Sequence, residues 1–153
     1  MTADDPIVTV LKAAIAKDAQ AESGLVEARG NLYQALSNAR TRKITVDRLK
    51  TAAGLGGRQT VYTAVKEKPG REVPGATDED LLKIVKDAAE RWRQARMDRD
   101  QARIDLNETV AESYGHTAGK LKAEQLAEVL GISQPAVSQI LNGVEVKRKR
   151  PAA

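Results

Sequence analysis

The sequence predicts an all-α protein of two long helices, each followed by a pair of short helices joined by a glycine turn. Three observations point there. Apolar residues make up 41% of the chain but aromatics only 3%, with three Tyr, one Trp and no Phe. The core is therefore aliphatic and Ala-rich, which favours closely packed helices over an aromatic-rich sandwich. Apolar residues recur at alternating steps of four and three through two long stretches, as in a heptad-like stripe. A short apolar pattern interrupted by glycine follows each stretch. At 153 residues there is room for one ordinary domain or two small ones.

The first stretch opens with Asp5-Pro6, an N-cap type followed by a proline suited to the first helical turn, and no further Pro occurs until Pro69. Ile7, Leu11, Ala14, Ala21, Leu25, Ala28, Leu32, Ala35 and Ala39 form the stripe, with Asp18 in the one missing place. One helix is expected over residues 6–41, loosened at Ser23-Gly24 and Gly30. Thr45 then caps a short helix over 46–53, Gly54 to Gly57 turn the chain, and 58–65 form another short helix. Two Pro-Gly dipeptides between Lys68 and Gly75 read as a linker and domain boundary.

Thr77 caps the second long helix, whose first turn carries Asp78, Glu79 and Asp80 where acids suit the helix dipole. Its stripe runs Leu81, Val85, Ala88, Trp92, Ala95, Ala102, Leu106, Thr109 and Ser113, and Arg99 takes the odd place that Asp18 holds in the first. Gly115 and Gly119 end it, and Leu121 to Gly143 repeats the short helix, glycine turn, short helix arrangement. The chain thus reads as a duplication of architecture. Its expected divisions are 1–68, a linker at 69–76, 77–143 and a basic tail at 144–153. Aligning Leu49 with Leu126 and Gly54 with Gly131 sets an offset of 77, but Val61 and Val137 differ by 76, so the first turn carries one extra residue.

Composition removes several classes of function. There is no cysteine and a single histidine, His116, so disulfide scaffolds, thiol chemistry and two-His or cysteine metal sites are not expected. No nucleophile converges on His116, which reads as a helix-end residue beside Gly115. No cofactor, metal or catalytic activity is expected. The N-terminus is acidic where a signal peptide is basic, and Lys12 halts the apolar run from Ile7 to Leu11. No run approaches a membrane span, so a cytoplasmic, nucleoid-associated protein without a membrane partner is expected.

Net charge is only +4, but it is segregated. Between Arg40 and Arg71 nine Lys/Arg face two carboxylates, whereas from Asp78 to Glu112 seven face ten. Lys147, Arg148, Lys149 and Arg150 close the chain with Glu145 opposed.

The stretch Ala123 to Gly143 allots its side chains clearly. Leu126, Leu130, Ile132, Val137 and Ile140 lie where two steeply crossing short helices face each other, and Ala127 is small where they approach. Gly131 suits a left-handed helix end and Ser133 is an N-cap type. Gln134, Ala136, Ser138, Gln139 and Asn142 are left exposed, a carboxylate-free face suited to base edges: Gln binds adenine bidentately and Ala meets a thymine methyl. The pattern Ala-x3-Gly-Ile-Ser-Gln-x2-Val-Ser-x-Ile-Leu-Asn-Gly, about 22 residues with its flanks, resembles the helix-turn-helix of phage-repressor and Cro-type DNA-binding proteins. That resemblance implies that Gln134, Ala136, Ser138 and Gln139 face the major groove, with Asn142 nearer a phosphate. A helical hairpin that only packs is the alternative.

Thr45 to Val65 looks like a looser version of the same motif. Its second helix resembles the Arg-x-Thr-Val-Tyr pattern of tetracycline-repressor-type domains, departing from the motif at Lys50, where a small residue is expected, and in its longer turn. Arg58, Gln59, Thr60, Tyr62 and Thr63 are the exposed candidates, Arg58 for guanine and the hydroxyls for phosphates. A degenerate structural repeat is the alternative. Lys147 to Arg150 read either as a phosphate or minor-groove arm or as a solubilising end.

A 36-residue helix spans roughly 54 Å, more than a three-helix DNA-binding domain needs, so the stripes are expected to pair, either as an antiparallel pair within the chain with the motifs at opposite ends or between chains in a homodimer. Asp18 and Arg99 are candidates to face one another. The expected function is that of a double-stranded DNA-binding regulator, a repressor or a phage or plasmid control protein, using two unlike helix-turn-helix units. A DNA-organising or plasmid-partition protein and a helical protein-interaction adaptor are the alternatives. The Ala-rich, Arg-leaning composition is similar to that of proteins from GC-rich bacteria.

Overall fold

A computed structural model of the chain describes residues 5–149, with side chains from 5 to 147. It is all-helical: α1 (Pro6–Thr41), α2 (Val46–Ala53), α3 (Gln59–Glu67), α4 (Asp78–Ser113), α5 (Ala123–Leu130) and α6 (Gln134–Lys149). No strand occurs among the described residues, where Tyr114 and Leu121 form one isolated bridge that pinches the loop between α4 and α5.

Local chemistry sets most boundaries. Asp5 Oδ1 accepts from Ile7 N–H at 3.0 Å and Thr45 Oγ1 from Arg48 N–H at 3.3 Å, each satisfying an orphan donor of a first turn. Thr77 and Asp80 form a reciprocal box, with Asp80 N–H on Thr77 Oγ1 at 3.1 Å and Thr77 N–H on Asp80 Oδ2 at 3.0 Å. Gly54 and Gly131 end α2 and α5 in the left-handed region, at φ 65° and 68°, where a side chain is disfavoured. Gly24 and Gly30 do not loosen α1, which runs through both unbroken.

The chain forms two compact units. One, within residues 22–98, buries Leu32, Leu36 and Ala39 of α1 with Leu49 and Ala53 of α2, Val61 and Ala64 of α3, and Leu81, Val85 and Ala89 of α4. The other combines the segment up to Ala21 with that from Arg99 onward, and buries Val8 and Leu11 of α1 with Val110 of α4, Leu121, Leu126, Ala127 and Val137. Within each unit the two long-helix segments run antiparallel, so the stripes pair inside the chain. Arg42 of α1 meets Asp78 at the start of α4, and Asp18 meets Arg103 well along it.

These units do not follow the divisions at 1–68 and 77–143. Each core needs both long helices, because a short-helix pair and one helix segment cannot enclose the aliphatic side chains alone. The stripe itself is half-buried from Ala14 to Ala28 and widens where the short helices pack, drawing in Val8, Tyr33, Leu36 and Ala89, which lie outside its four-three spacing.

The segment 69–76 is no free linker. Gln34 Nε2 donates to Pro69 O at 2.9 Å, Ser37 Oγ to Lys68 O, and Arg71 N–H to Asn38 Oδ1 at 2.7 Å, strapping it across α1. Gly70 lies so close that an added Cβ would stand 2.6 Å from Ser37 O. The expected tail at 144–153 also differs: α6 continues through Gly143 to Lys149, because Val144 prolongs the apolar line of Val137, Ile140 and Leu141 and is buried. Ile132, expected between the short helices, is 39% exposed in the turn. Asp18 takes Arg103, one turn beyond Arg99, as its fork partner, at 3.0 and 3.1 Å.

Candidate nucleic-acid interface

In α6, Val137 and Val144 face the core while Ile140 and Leu141 flank them, and this fixes what remains outside. Ser138, Gln139 and Asn142 fall on the opposite side of a 3.6-residue helix and are exposed, as is Gln134 in the first turn. Ala136 is half-buried at the edge of that face. Ser133 Oγ accepts from Ala136 N–H at 3.3 Å, capping the helix so that its N-terminal residues are presented. Lys147 is exposed on α6 itself, one turn past Gly143. The side chains of Arg148 and Lys149 lie outside the described residues, as does Arg150 altogether.

The α3 helix repeats the division. Val61 and Ala64 are fully buried, and Gln59, Tyr62, Thr63 and Lys66 line one shallow outer depression. Tyr62 is 53% exposed, whereas Thr60 and Thr63, both expected to be exposed, are half-buried, Thr60 at the flank beside Val61 and Thr63 within the outer depression. Lys66 escaped the sequence reading, although it lies one turn past Tyr62 and Thr63 on the same face. Gln59 Nε2 leans to Thr63 Oγ1 at 3.4 Å.

Arg58 is engaged by a carboxylate rather than held open to a base. Its Nε and NH2 donate to Asp47 Oδ1 and Oδ2 at 2.8 and 3.0 Å, a bidentate fork between the start of α2 and the N-cap of α3. Lys50 is half-buried at the position equivalent to the buried Ala127. Five residues separate α2 from α3 and three separate α5 from α6. Arg93 of α4 donates to Ala53 O at 2.8 Å, satisfying a carbonyl at the end of α2 where a cation suits the dipole.

Carboxylates close both faces at their C-terminal ends. Glu67 is paired with Arg29 at 3.5 Å, and Tyr33, then Glu67, hold that guanidinium above its ordinary pKa. Glu145 follows Asn142 by three residues on α6. Both second helices thus present amides and hydroxyls over two turns, with lysine available on each. At the α4 end, His116 meets Tyr114 edge-on, with 5.6 Å between ring centroids, and Lys120 Nζ caps Glu112 O at 2.6 Å.

No helix among the described residues is long and apolar enough to cross a membrane. No family model, curated protein or solved structure matches the chain.

Proposed function

We propose that this chain is a sequence-specific double-stranded DNA-binding protein, a transcriptional regulator of the phage or plasmid control type, in which α2–α3 and α5–α6 act as two unlike helix-turn-helix units. One observation carries the reading. In both pairs the second helix buries one side in its own unit's core and leaves an opposite side of amides and hydroxyls, Gln139, Ser138 and Asn142 on α6 and Gln59, Tyr62 and Thr63 on α3. Such a face serves no packing purpose, and it matches the donor and acceptor pattern of base edges and phosphates. Lys66 and Lys147 supply the sequence-independent attraction. The protein acts by occupying its site, without chemistry.

Selection of bound duplexes from a random library tests this. Gln139→Ala is expected to relax preference at one base position by about 1–3 kcal/mol, while Lys147→Ala weakens all sequences alike and lowers the salt slope by about one. Equal losses on every sequence from both variants would remove Gln139 from the reading face.

Two faces on separately cored units also favour a second reading, a DNA-organising or bridging protein. Salt-dependent binding without sequence preference, together with large nucleoprotein complexes, selects that reading instead.

A further inference from the structure

The two units share one architecture, yet the gap between the long helix and the second short helix is closed in one and open in the other. Within 22–98, Arg29 pairs with Glu67 at 3.5 Å, Ser37 Oγ donates to Ala64 O at 3.3 Å, and the Lys68 ammonium lies 3.9 Å from where a Gly30 Cβ would stand. In the other unit the corresponding face of α4 meets α6 across a cleft of about 490 Å³. Its walls are Ile104 of α4 with Ile140 and Val144 of α6, and Gly143 leaves room beside them, since a Cβ there would meet no atom within 4 Å. Ile104, which lines this space, is 37% exposed. Among the described residues two charged side chains line it, Glu108 on one helix and Lys147 on the other.

We propose that this cleft binds a small apolar zwitterion, a molecule with a carboxylate for Lys147, an ammonium for Glu108 and an aliphatic or aromatic side chain for the isoleucine and valine walls. The charge pattern decides the class. A fatty acid would set its chain against Glu108 and a simple amine would leave Lys147 unanswered, whereas a zwitterion answers both with charge-assisted hydrogen bonds. The volume lies within the roughly 300–1,000 Å³ of small-molecule sites. A free apolar amino acid and an apolar dipeptide share this chemistry. Ala136 and Gln139 line the cleft as well as the candidate reading face, so the occupant bears on DNA affinity. That consequence rests on the function proposed above; the binding itself does not.

Calorimetric titration of the full chain without DNA, using L-leucine, L-phenylalanine and leucyl-leucine, separates the two. Saturable binding of the zwitterions is expected. It weakens about tenfold or more for phenylalaninamide, which lacks the carboxylate, for N-acetylphenylalanine, which lacks the ammonium, and in Glu108→Gln. It is lost in Ile104→Trp, which fills the cleft. Three results overturn the proposal: no zwitterion binds, octanoate and phenylalaninamide bind as well as phenylalanine, or the chain self-associates through contacts that Ile104→Trp abolishes, which assigns the cleft to a second copy. Zwitterion binding by a chain that shifts no DNA removes the regulatory function and leaves the cleft's assignment standing.

Discussion

A guanidinium already gripped by a carboxylate must be released before it can touch nucleic acid, and Asp47 grips Arg58 in this way. Both side chains are more than half exposed, and an exposed pair of this kind contributes only about 0–1 kcal/mol. A phosphate or a guanine edge therefore competes with Asp47 on nearly equal terms. Asp47→Asn is expected to tighten binding to all duplexes and to steepen the salt dependence by about one counterion, read from affinities across a salt series. An unchanged slope would take Arg58 off the interface. The fork joins residues eleven apart through a turn of unusual length, so nothing in the local sequence announced it. The outward placement of Ser138, Gln139 and Asn142 was legible, because Val137 and its apolar neighbours on α6 leave those positions no other side.

Among the elements, caps were readable and docking was not. Asp5, Thr45, Gly54, the Thr77–Asp80 box, Gly131 and Ser133 each act within a few residues, so the starts of α1, α2, α4 and α6 and the ends of α2 and α5 follow from sequence almost to the residue. The strap at 68–71 depends on Gln34, Ser37 and Asn38, more than thirty residues earlier, and Pro-Gly says only that no helix forms there. Gly143 read as a stop because glycine is a poor helix former, a preference of about 1 kcal/mol that the burial of Val144 outweighs. Gly70→Ala tests the strap directly. Its Cβ would stand 2.6 Å from Ser37 O and 2.5 Å from Thr41 Cγ2, and a loss of about 1–3 kcal/mol is expected in denaturant unfolding. A wild-type midpoint would mean that the segment is not held against α1.

For the molecule as a whole, the decisive point is that neither core is contained in one half of the chain. Leu81, Val85 and Ala89 complete the unit within 22–98, and Val8 and Leu11 complete the other. Chains ending at residue 76 or beginning at residue 77 are therefore expected to lack a cooperative melting transition, checked by circular dichroism, while the two pieces mixed together regain one. Cooperative melting of either piece alone would contradict the shared cores. The duplicated pattern of long helix and short pair was visible in the sequence, but repetition along a chain does not say which repeat encloses which. If both faces read DNA, Thr63→Ala and Gln139→Ala are expected to erase different parts of one footprint. The same interleaving imposes an order on biosynthesis. Residues 22–98 can close as soon as they leave the ribosome, but Val8 and Leu11, made earlier, wait for Val110 and Leu126. A message truncated after residue 98 would release a half-finished product with Val8 and Leu11 uncovered, a natural target for chaperones and proteases.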